Sequence, residues 1–186
     1  DSQRRVGAMR SSPFIVAMAL AVALVPTHAD AAAYVATSPG LDSVNNRILA
    51  AHNVARADVG APPLQWDPTL AVAAASYGPA LSRAGRLVHS PRAGRENQRE
   101  NLWMGQQGRF GPEQMVAVWS DEKRLFFPGQ FPNVSRTGNW ADVAHYTQMI
   151  WKGTTHVGCA IYRGGAWDYL ICRYSPPGNR DGTSVP

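Results

Sequence analysis

Glu122 is the most informative chemical group in the sequence, because it lies where an apolar residue would be expected. It follows Met115 by seven residues and Trp119 by three, and these spacings place the three side chains on one face of a helix. A carboxylate on an apolar face is unfavourable unless it is paired or hydrogen-bonded. Glu122 therefore either forms a salt bridge with an arginine or belongs to a polar functional site, where it is a candidate general base.

The adjacent residues His89 and Ser90 introduce a second chemistry, that of a metal-dependent or serine-type hydrolase, with Ser90 as candidate nucleophile. Neighbouring residues of a strand point their side chains to opposite faces, and this disfavours a direct pair between the two. The sequence contains neither a Gly-x-Ser-x-Gly nor a His-Glu-x-x-His motif. A binding or interaction protein is therefore the preferred interpretation, and a protease or esterase is the alternative.

The two cysteines, Cys159 and Cys172, favour one disulfide over two free thiols, because an even count is typical of exported proteins. Residues 157–162 and 168–174 are apolar runs that predict two strands joined by a glycine-containing turn. If this hairpin turns about the peptide bond that follows Gly165, the cysteines lie directly opposite each other. Opposed residues of an antiparallel pair are close enough for a disulfide to form.

The first 33 residues have the pattern of a secretory signal peptide. Three arginines precede an apolar run at residues 14–25, and alanines follow it. This run is shorter than the roughly 20 residues of a membrane-spanning helix, so we expect a cleaved signal and no stable membrane span. Met9 is an alternative start that would place residues 1–8 before the signal. Residues 34–40 are a predicted linker, and the expected location is extracellular, or periplasmic in a bacterium.

The charge balance argues against a nucleic-acid partner. Beyond residue 33 the chain holds 15 basic and 11 acidic residues, a net charge of +4, and no nucleic-acid-binding motif. Five arginines form a loose group between residues 83 and 99, for which a solvated basic loop is the preferred interpretation over a phosphate-binding site. The length indicates one domain, which we expect to be a monomer.

Four helices must position the polar residues. Apolar periodicity and capping residues predict them at 41–59, from Asp67 onward, at 112–125 and at 141–151. Gly78 and Pro79 are expected to kink or end the second helix. His52 and Arg56 lie one turn apart on the first, where a structural hydrogen-bonding pair is preferred over a functional one.

The strands predicted near the C-terminus, with a short one at 101–104, follow a largely helical first part, and this order is typical of an α+β fold. Two apolar strands cannot cover both their faces alone, so helices must pack on them. The tail after Pro176, of which residues 180–186 lie beyond the expected domain, is polar and rich in glycine and proline, and it is expected to fray.

Two stretches near the C-terminus carry a specific resemblance. They are HYTQMIW at residues 145–151, followed by VGCA at residues 157–160, and YLICRYSPPGN at residues 169–179. Both resemble signature motifs of the CAP superfamily, the cysteine-rich secretory, antigen 5 and pathogenesis-related proteins. Together with weaker matches upstream, the resemblance covers residues 41–179. It implies a three-layer α-β-α sandwich with an open cleft.

The family's cleft contains two histidines and two glutamates, and the matching motifs place them at His89, Glu100, Glu122 and His145. The glutamate motif usually has a glycine before the glutamate, whereas this chain has Arg99. Glu96, in the same loop, is a rival match. Glu100 is preferred because Leu102 and Trp103 continue the motif.

The four residues implied by the resemblance make sense as a metal site. Imidazole nitrogens and carboxylate oxygens bind zinc and similar divalent ions, so a divalent metal, with zinc preferred, is the expected cofactor. His89 and His145 are the predicted ligands. The two glutamates either orient the histidines through hydrogen bonds or hold a water and act as general bases.

Lipid binding, known in the family, is a third function that the resemblance implies, with a sterol or fatty acid as ligand. The loop after residue 125 holds three phenylalanines, Phe126, Phe127 and Phe131, as candidate lipid contacts. Exposed apolar clusters of this kind mark contact surfaces. The alternative interpretation is that these rings fill the core beneath a long loop.

Overall fold

A four-stranded sheet forms the centre of the protein in its computed structural model, which describes residues 44–186. The predicted signal region at 1–33, the predicted linker at 34–40 and the predicted start of the first helix lie outside the described residues. Within residues 44–186, no helix has both the length and the apolar character needed to cross a membrane.

The described helices are close to those predicted. They are α1 (Val44–Ala57), α2 (Pro68–Ala84), α3 (Pro112–Ser120) and α4 (Ala144–Ile150), with 3-10 turns at Asp121–Arg124 and Trp140–Val143. Asp67 caps α2, as its position before Pro68 predicts. Of the two outcomes expected at Gly78 and Pro79, a kink or an end of the helix, the end is wrong. The helix continues to Ala84 because its packing against the sheet outweighs the loss of one backbone donor at the proline.

The strands are more extensive than the sequence pattern predicts. They are β1 (Gln65–Trp66), β2 (Arg99–Gln106), β3 (Gly129–Gln130), β4 (His156–Gly164), β5 (Trp167–Ser175) and β6 (Ser184–Val185). The main sheet has the order β1-β4-β5-β2, parallel only between β1 and β4. The expectation that residues 180–186 fray is wrong for β6, which pairs with β3 and buries Val185.

Alternation along the strands creates two separate cores, one on each face of the sheet. Helix α2 packs on one face, where its leucine and alanines meet Ala160, Tyr162 and Ile171. Helices α1, α3 and α4 pack on the other face, against Cys159, Leu170 and Cys172. Because side chains of a strand alternate between faces, both sides of β4 and β5 are apolar. The predicted α+β class and the three-layer α-β-α sandwich are confirmed.

The predicted disulfide is confirmed and joins the two central strands. Cys159 and Cys172 are directly paired in the register of β4 and β5, with their Cα atoms 4.1 Å apart and their sulfur atoms bonded. The hairpin turns at Gly165, as the symmetry of the sequence about that residue predicts. Both half-cystines are buried in the core beneath α1, α3 and α4.

Arg56, on α1, is a fully buried cation that joins three segments of the fold. Its guanidinium donates to the carbonyl oxygens of Pro62, Met149, Trp151 and Thr154, at 2.6 to 3.0 Å. Burial lowers its pKa to about 10, so the group stays charged at neutral pH. The predicted hydrogen bond between Arg56 and His52 is wrong, because His52 contacts Ile48 and Tyr174 instead. Both side chains are nevertheless structural, as expected.

The sheet and α2 approach each other closely, backbone to backbone, at Gly158, and this contact generates a prediction. A methyl group at Gly158 would overlap backbone atoms of Asp67, Leu70 and Ala71. We expect Gly158→Ala to lower the free energy of unfolding by about 1–3 kcal/mol, because backbone on both sides would have to move. Urea unfolding followed by circular dichroism measures this change.

Gly153→Ala is the matched control, since a methyl group there meets only the Trp151 ring at ordinary contact distance. Equal stability of the Gly158→Ala variant and the wild type would contradict the close packing of α2 on β4.

Candidate functional site

An open cleft of about 390 Å3 lies at one end of the sandwich, and it contains His89 and His145. His89 comes from the loop after α2, and His145 from the first turn of α4. Glu100, near the start of β2, lines the same cleft. Glu122, in the 3-10 turn after α3, lies behind His145. The structure therefore brings together all four residues that the family resemblance selects.

Glu122 holds His145 through both the side chain and the backbone. Its Oε1 is 2.6 Å from Nδ1 of His145, and its Oε2 accepts the backbone N–H groups of His145 and Tyr146, each at 3.0 Å. The His145 ring also stacks on Trp119, with 5.9 Å between ring centroids. A carboxylate at this place satisfies otherwise unpaired donors in the first turn of a helix. The expected alternative, a salt bridge from Glu122 to an arginine, is wrong.

Glu100 holds His89 in a corresponding way, on the opposite face of the sheet. Its Oε1 is 2.8 Å from Nδ1 of His89 and accepts the backbone N–H of Ser90 at 3.0 Å. Its Oε2 accepts the Ser90 hydroxyl and pairs with the guanidinium of Arg173, each at 2.9 Å. Glu100 and Arg173 are direct cross-strand partners on β2 and β5.

Glu100 remains ionised although its side chain is fully buried. Burial by itself favours the neutral acid, but the hydrogen bond with His89, the charge of Arg173 and the bonds from Ser90 together hold the pKa of Glu100 below its ordinary value. A charged carboxylate acts only as an acceptor. His89 must then present N–H at Nδ1, so that in the neutral tautomer of this ring the lone pair is on Nε2.

His145 likewise faces Glu122 with Nδ1, so its neutral tautomer with N–H at Nδ1 has the lone pair on Nε2. Each histidine can therefore offer an Nε2 lone pair. Neither Nε2 has a protein partner in the part of the chain that the structure describes. Among residues 44–186 no group of three or more His, Cys, Asp or Glu side chains is arranged to hold a metal ion. The metal donors on offer are thus two imidazole nitrogens, since both carboxylates are committed to Nδ1 atoms.

A buried polar network supports His145 from the sheet. Asn101 donates to the carbonyl oxygen of His145 and to the hydroxyl of Tyr174, each at 3.1 Å. The Tyr174 oxygen is 2.7 Å from Nε2 of His52, whose Nδ1 is 2.8 Å from the carbonyl oxygen of Ile48. Since a carbonyl oxygen only accepts, His52 carries its proton on Nδ1 and Tyr174 donates to Nε2.

The remaining predicted site residues lie elsewhere. Ser90 is buried, and its hydroxyl lies between Glu100 and Arg173 rather than against a histidine. Glu96, the rival glutamate, is exposed and accepts only the backbone N–H of Gly94. It makes no contact with the histidines.

The three phenylalanines do not form one exposed surface. Phe126 and Phe131 are buried in the core, whereas Phe127 is 37% exposed. The core-filling alternative therefore applies to Phe126 and Phe131. Phe131 also lines the cleft, so this loop reaches the site that holds His89, Glu100 and His145.

Arg173 is the functional residue that sequence reasoning missed. It interrupts an otherwise apolar strand, and a buried charge requires a partner of opposite charge. The charge within an apolar strand was visible in the sequence. The partner of Arg173, Glu100, is 73 residues away in the sequence and adjacent only through the strand register. Trp140, which also lines the cleft, gave no sequence signal.

A model of the cysteine-rich secretory protein (CAP) family matches residues 49–174. The match covers more than half of the chain and includes both glutamate–histidine pairs. The chain belongs to this family.

Several relatives of this CAP domain are plant proteins. Pathogenesis-related protein 1A of Nicotiana tabacum is 38% identical over 138 residues, covering 73% of this chain and 77% of the relative. Pathogenesis-related protein PR-1 type of Sambucus nigra is 39% identical over 138 residues, covering 71% of this chain and 75% of the relative. Protein PRY2 of Saccharomyces cerevisiae is 37% identical over 133 residues, which are 69% of this chain and 36% of that protein.

Solved structures share the same sandwich. The crystal structure of NaASP2 with Zn2+ superposes with a TM-score of 0.63 at 21% identity, covering 78% of this chain and 85% of the other. The structure of Schistosoma mansoni venom allergen-like protein 4 superposes with a TM-score of 0.57 at 22% identity, covering 78% and 97%. At these identities the likeness concerns the fold.

The buried His52 makes the stability of this CAP domain depend on pH. Burial is the main reason why the pKa of His52 falls from 6.5 to about 4. The unfolded chain therefore binds this proton more readily between those values, and the stabilisation present above pH 6.5 is lost as the pH falls toward 4. Between about pH 7.5 and about pH 5, we expect this group to reduce the free energy of unfolding by about 2 kcal/mol.

Urea unfolding of the wild type and of His52→Gln at both pH values isolates this contribution, because the other titrating groups are common to both proteins. The variant should lose about 2 kcal/mol less than the wild type on acidification. Identical losses would contradict the burial of a neutral His52.

Proposed function

We propose that this CAP protein is an exported binding protein whose cleft takes a divalent metal, with zinc preferred, on the Nε2 atoms of His89 and His145. One observation carries the proposal. Each histidine gives its Nδ1 to a glutamate, 2.8 Å away for His89 and 2.6 Å for His145, and metal-binding histidines characteristically give their second nitrogen to a carboxylate in this way.

The donor set fits such an ion. Neutral imidazole is a preferred ligand of zinc, and the glutamates fix the tautomer in which Nε2 is free to bind. Their own oxygens are occupied by imidazole and backbone donors, so they orient the ligands rather than bind the ion. A bound divalent ion would supply a Lewis-acidic centre, with the remaining coordination positions left to water or to a ligand in the cleft.

Binding rather than hydrolysis is supported by the position of Ser90. Its hydroxyl donates to Glu100 and accepts from Arg173 Nη2 at 2.9 Å, and no histidine among residues 44–186 forms a hydrogen bond with it. The base within reach of Ser90 is thus Glu100, and it is a weak one, because, despite burial, the hydrogen bond with His89 and the charge of Arg173 hold its pKa below the ordinary value. Ser90 instead helps to fix the carboxylate that orients His89.

Export of this chain is part of the proposal. The pattern of residues 1–33 supports it, and so does the disulfide between Cys159 and Cys172, because disulfides persist in oxidising compartments. The crystal structure of NaASP2 is one with Zn2+, which is consistent with a metal in this fold but concerns that protein.

Calorimetric titration with zinc tests the metal site. The wild type should bind one ion per chain. The double variant His89→Ala/His145→Ala should release no heat of specific zinc binding, because both nitrogen ligands are gone. Glu122→Gln should bind about 10- to 100-fold more weakly, since an amide holds the His145 ring less firmly than a carboxylate.

His156→Ala is the control for these titrations, since His156 lies outside the cleft and contacts Thr155. Thermal unfolding of each variant without metal separates loss of binding from loss of fold. Absence of zinc binding in the folded wild type would refute the proposal and leave the four residues as a structural network.

A further inference from the structure

The wall of the cleft next to His89 is built largely from arginines. Arg92, Arg95 and Arg99 line it, and Arg180 lies close enough to act on Arg99. Burial, followed by the positive charges of the other three, lowers the pKa of Arg99. Three other guanidinium groups thus act on the charge of Arg99, and one of them, Arg180, lines a neighbouring pocket rather than this cleft. We refer to these four residues as the arginine wall.

Three members of the arginine wall have no protein partner. The side chains of Arg92, Arg99 and Arg180 form no hydrogen bond and no ion pair with any residue from 44 to 186. Two of these side chains are exposed, and that of Arg99 is half-buried. Unpaired guanidinium groups in one place are preorganised for an anion, because their planar donors bind carboxylate or phosphate oxygens in pairs.

The acidic groups near the arginine wall do not neutralise it. Glu100 is committed to Arg173 and His89, and Glu96 accepts a backbone N–H. Asp181 lines the same cleft but makes no ion pair with any arginine there, within the described range. The cleft therefore keeps an excess of positive charge at this wall.

Arg95 gives the strongest indication that something is bound here. Only 8% of this residue is exposed. Its Nε and Nη2 both donate to a single carbonyl oxygen, that of Ser90, at 3.0 and 2.8 Å. No carboxylate of the described chain lies within ion-pair distance of it. A buried charge without a counter-ion is unfavourable, and an anion in the cleft that Arg95 lines would supply one.

Another part of the lining of the cleft is aromatic. Trp140 is 47% exposed and packs edge-on against Phe131, with 5.5 Å between ring centroids. Both rings line the cleft. An exposed indole beside a charged wall is suited to a ligand that has a ring as well as acid groups, because indole packs well against ring faces.

We propose that the cleft binds an acidic oligosaccharide, with its carboxylates on the arginine wall and one sugar ring on Trp140. A chain of uronic acids matches both the arginines and the indole, because each sugar unit carries one carboxylate and presents an apolar ring face. The cleft is open, which lets a polysaccharide pass across it. A single aromatic platform fits this better than a nucleic-acid strand, which uses several rings for successive bases. The proposal rests on the cleft being a binding site, but it does not require the metal.

Calorimetry with a tetramer of galacturonic acid, in buffer containing EDTA, tests this assignment. The wild type should bind the tetramer and should bind its methyl ester, which lacks the charges, at least about tenfold more weakly. Arg92→Gln/Arg99→Gln should weaken binding of the acid by about tenfold or more. Adding Trp140→Ala to this variant should weaken binding of the acid further. Added salt should weaken binding of the acid to the wild type.

The control variant is Arg83→Gln/Arg86→Gln, which removes the same charge at exposed arginines that do not line the cleft. It should bind like the wild type. Equal affinity for the acid and its ester, or equal losses in both double variants, would overturn the proposal. So would binding only of inorganic phosphate, of anionic phospholipid vesicles or of an oligonucleotide. Because EDTA removes metal, a negative result here is distinct from a failure of the zinc titration.

Discussion

The buried guanidinium of Arg56 is the interaction on which the position of the cleft depends. It binds four carbonyl oxygens and no carboxylate. Two of those oxygens, on Met149 and Trp151, belong to the end of α4, where the helix dipole is negative and favours a cation. A third lies just before β4. One side chain of α1 therefore fixes the end of α4 and the approach to the central sheet.

Glu122 holds the other end of α4 in an analogous way. Its carboxylate accepts N–H groups in the first turn, where the helix dipole favours an anion. A helix of seven residues is too short to be stable alone, and here each end is bound by a charged side chain of opposite sign. The orientation of His145 therefore follows from charge complementarity along α4, with Trp119 stacked on its ring.

Much of this arrangement could be predicted from the sequence, because it is encoded locally. The cysteine register followed from the symmetry of one hairpin, and the start of α2 from Asp67 and Pro68. The extent of β2 was underestimated because its ends carry polar residues, Arg99, Glu100 and Gln106, which conceal a strand.

Non-local contacts limited the prediction of the site. No spacing rule links Glu100 to Arg173, and only the register of β2 and β5 brings them together. The aromatic loop shows the same limit, since its composition does not reveal which rings face the core. Phe126 and Phe131 are buried by contacts with Tyr146 and Trp151, which come from the following helix and its end.

The two glutamate–histidine pairs belong to different layers of the sandwich. Glu100 lies on the face of β2 that meets α2, whereas Glu122 and His145 lie in the layer of α3 and α4. Each glutamate–histidine pair is thus positioned by its own layer. The distance between the two pairs is set by how both layers dock on the sheet. A chimera that exchanged residues 67–106, which hold α2, His89 and β2, with those of a relative could keep its fold and both pairs intact, yet lose the cleft if the layers docked at a different angle.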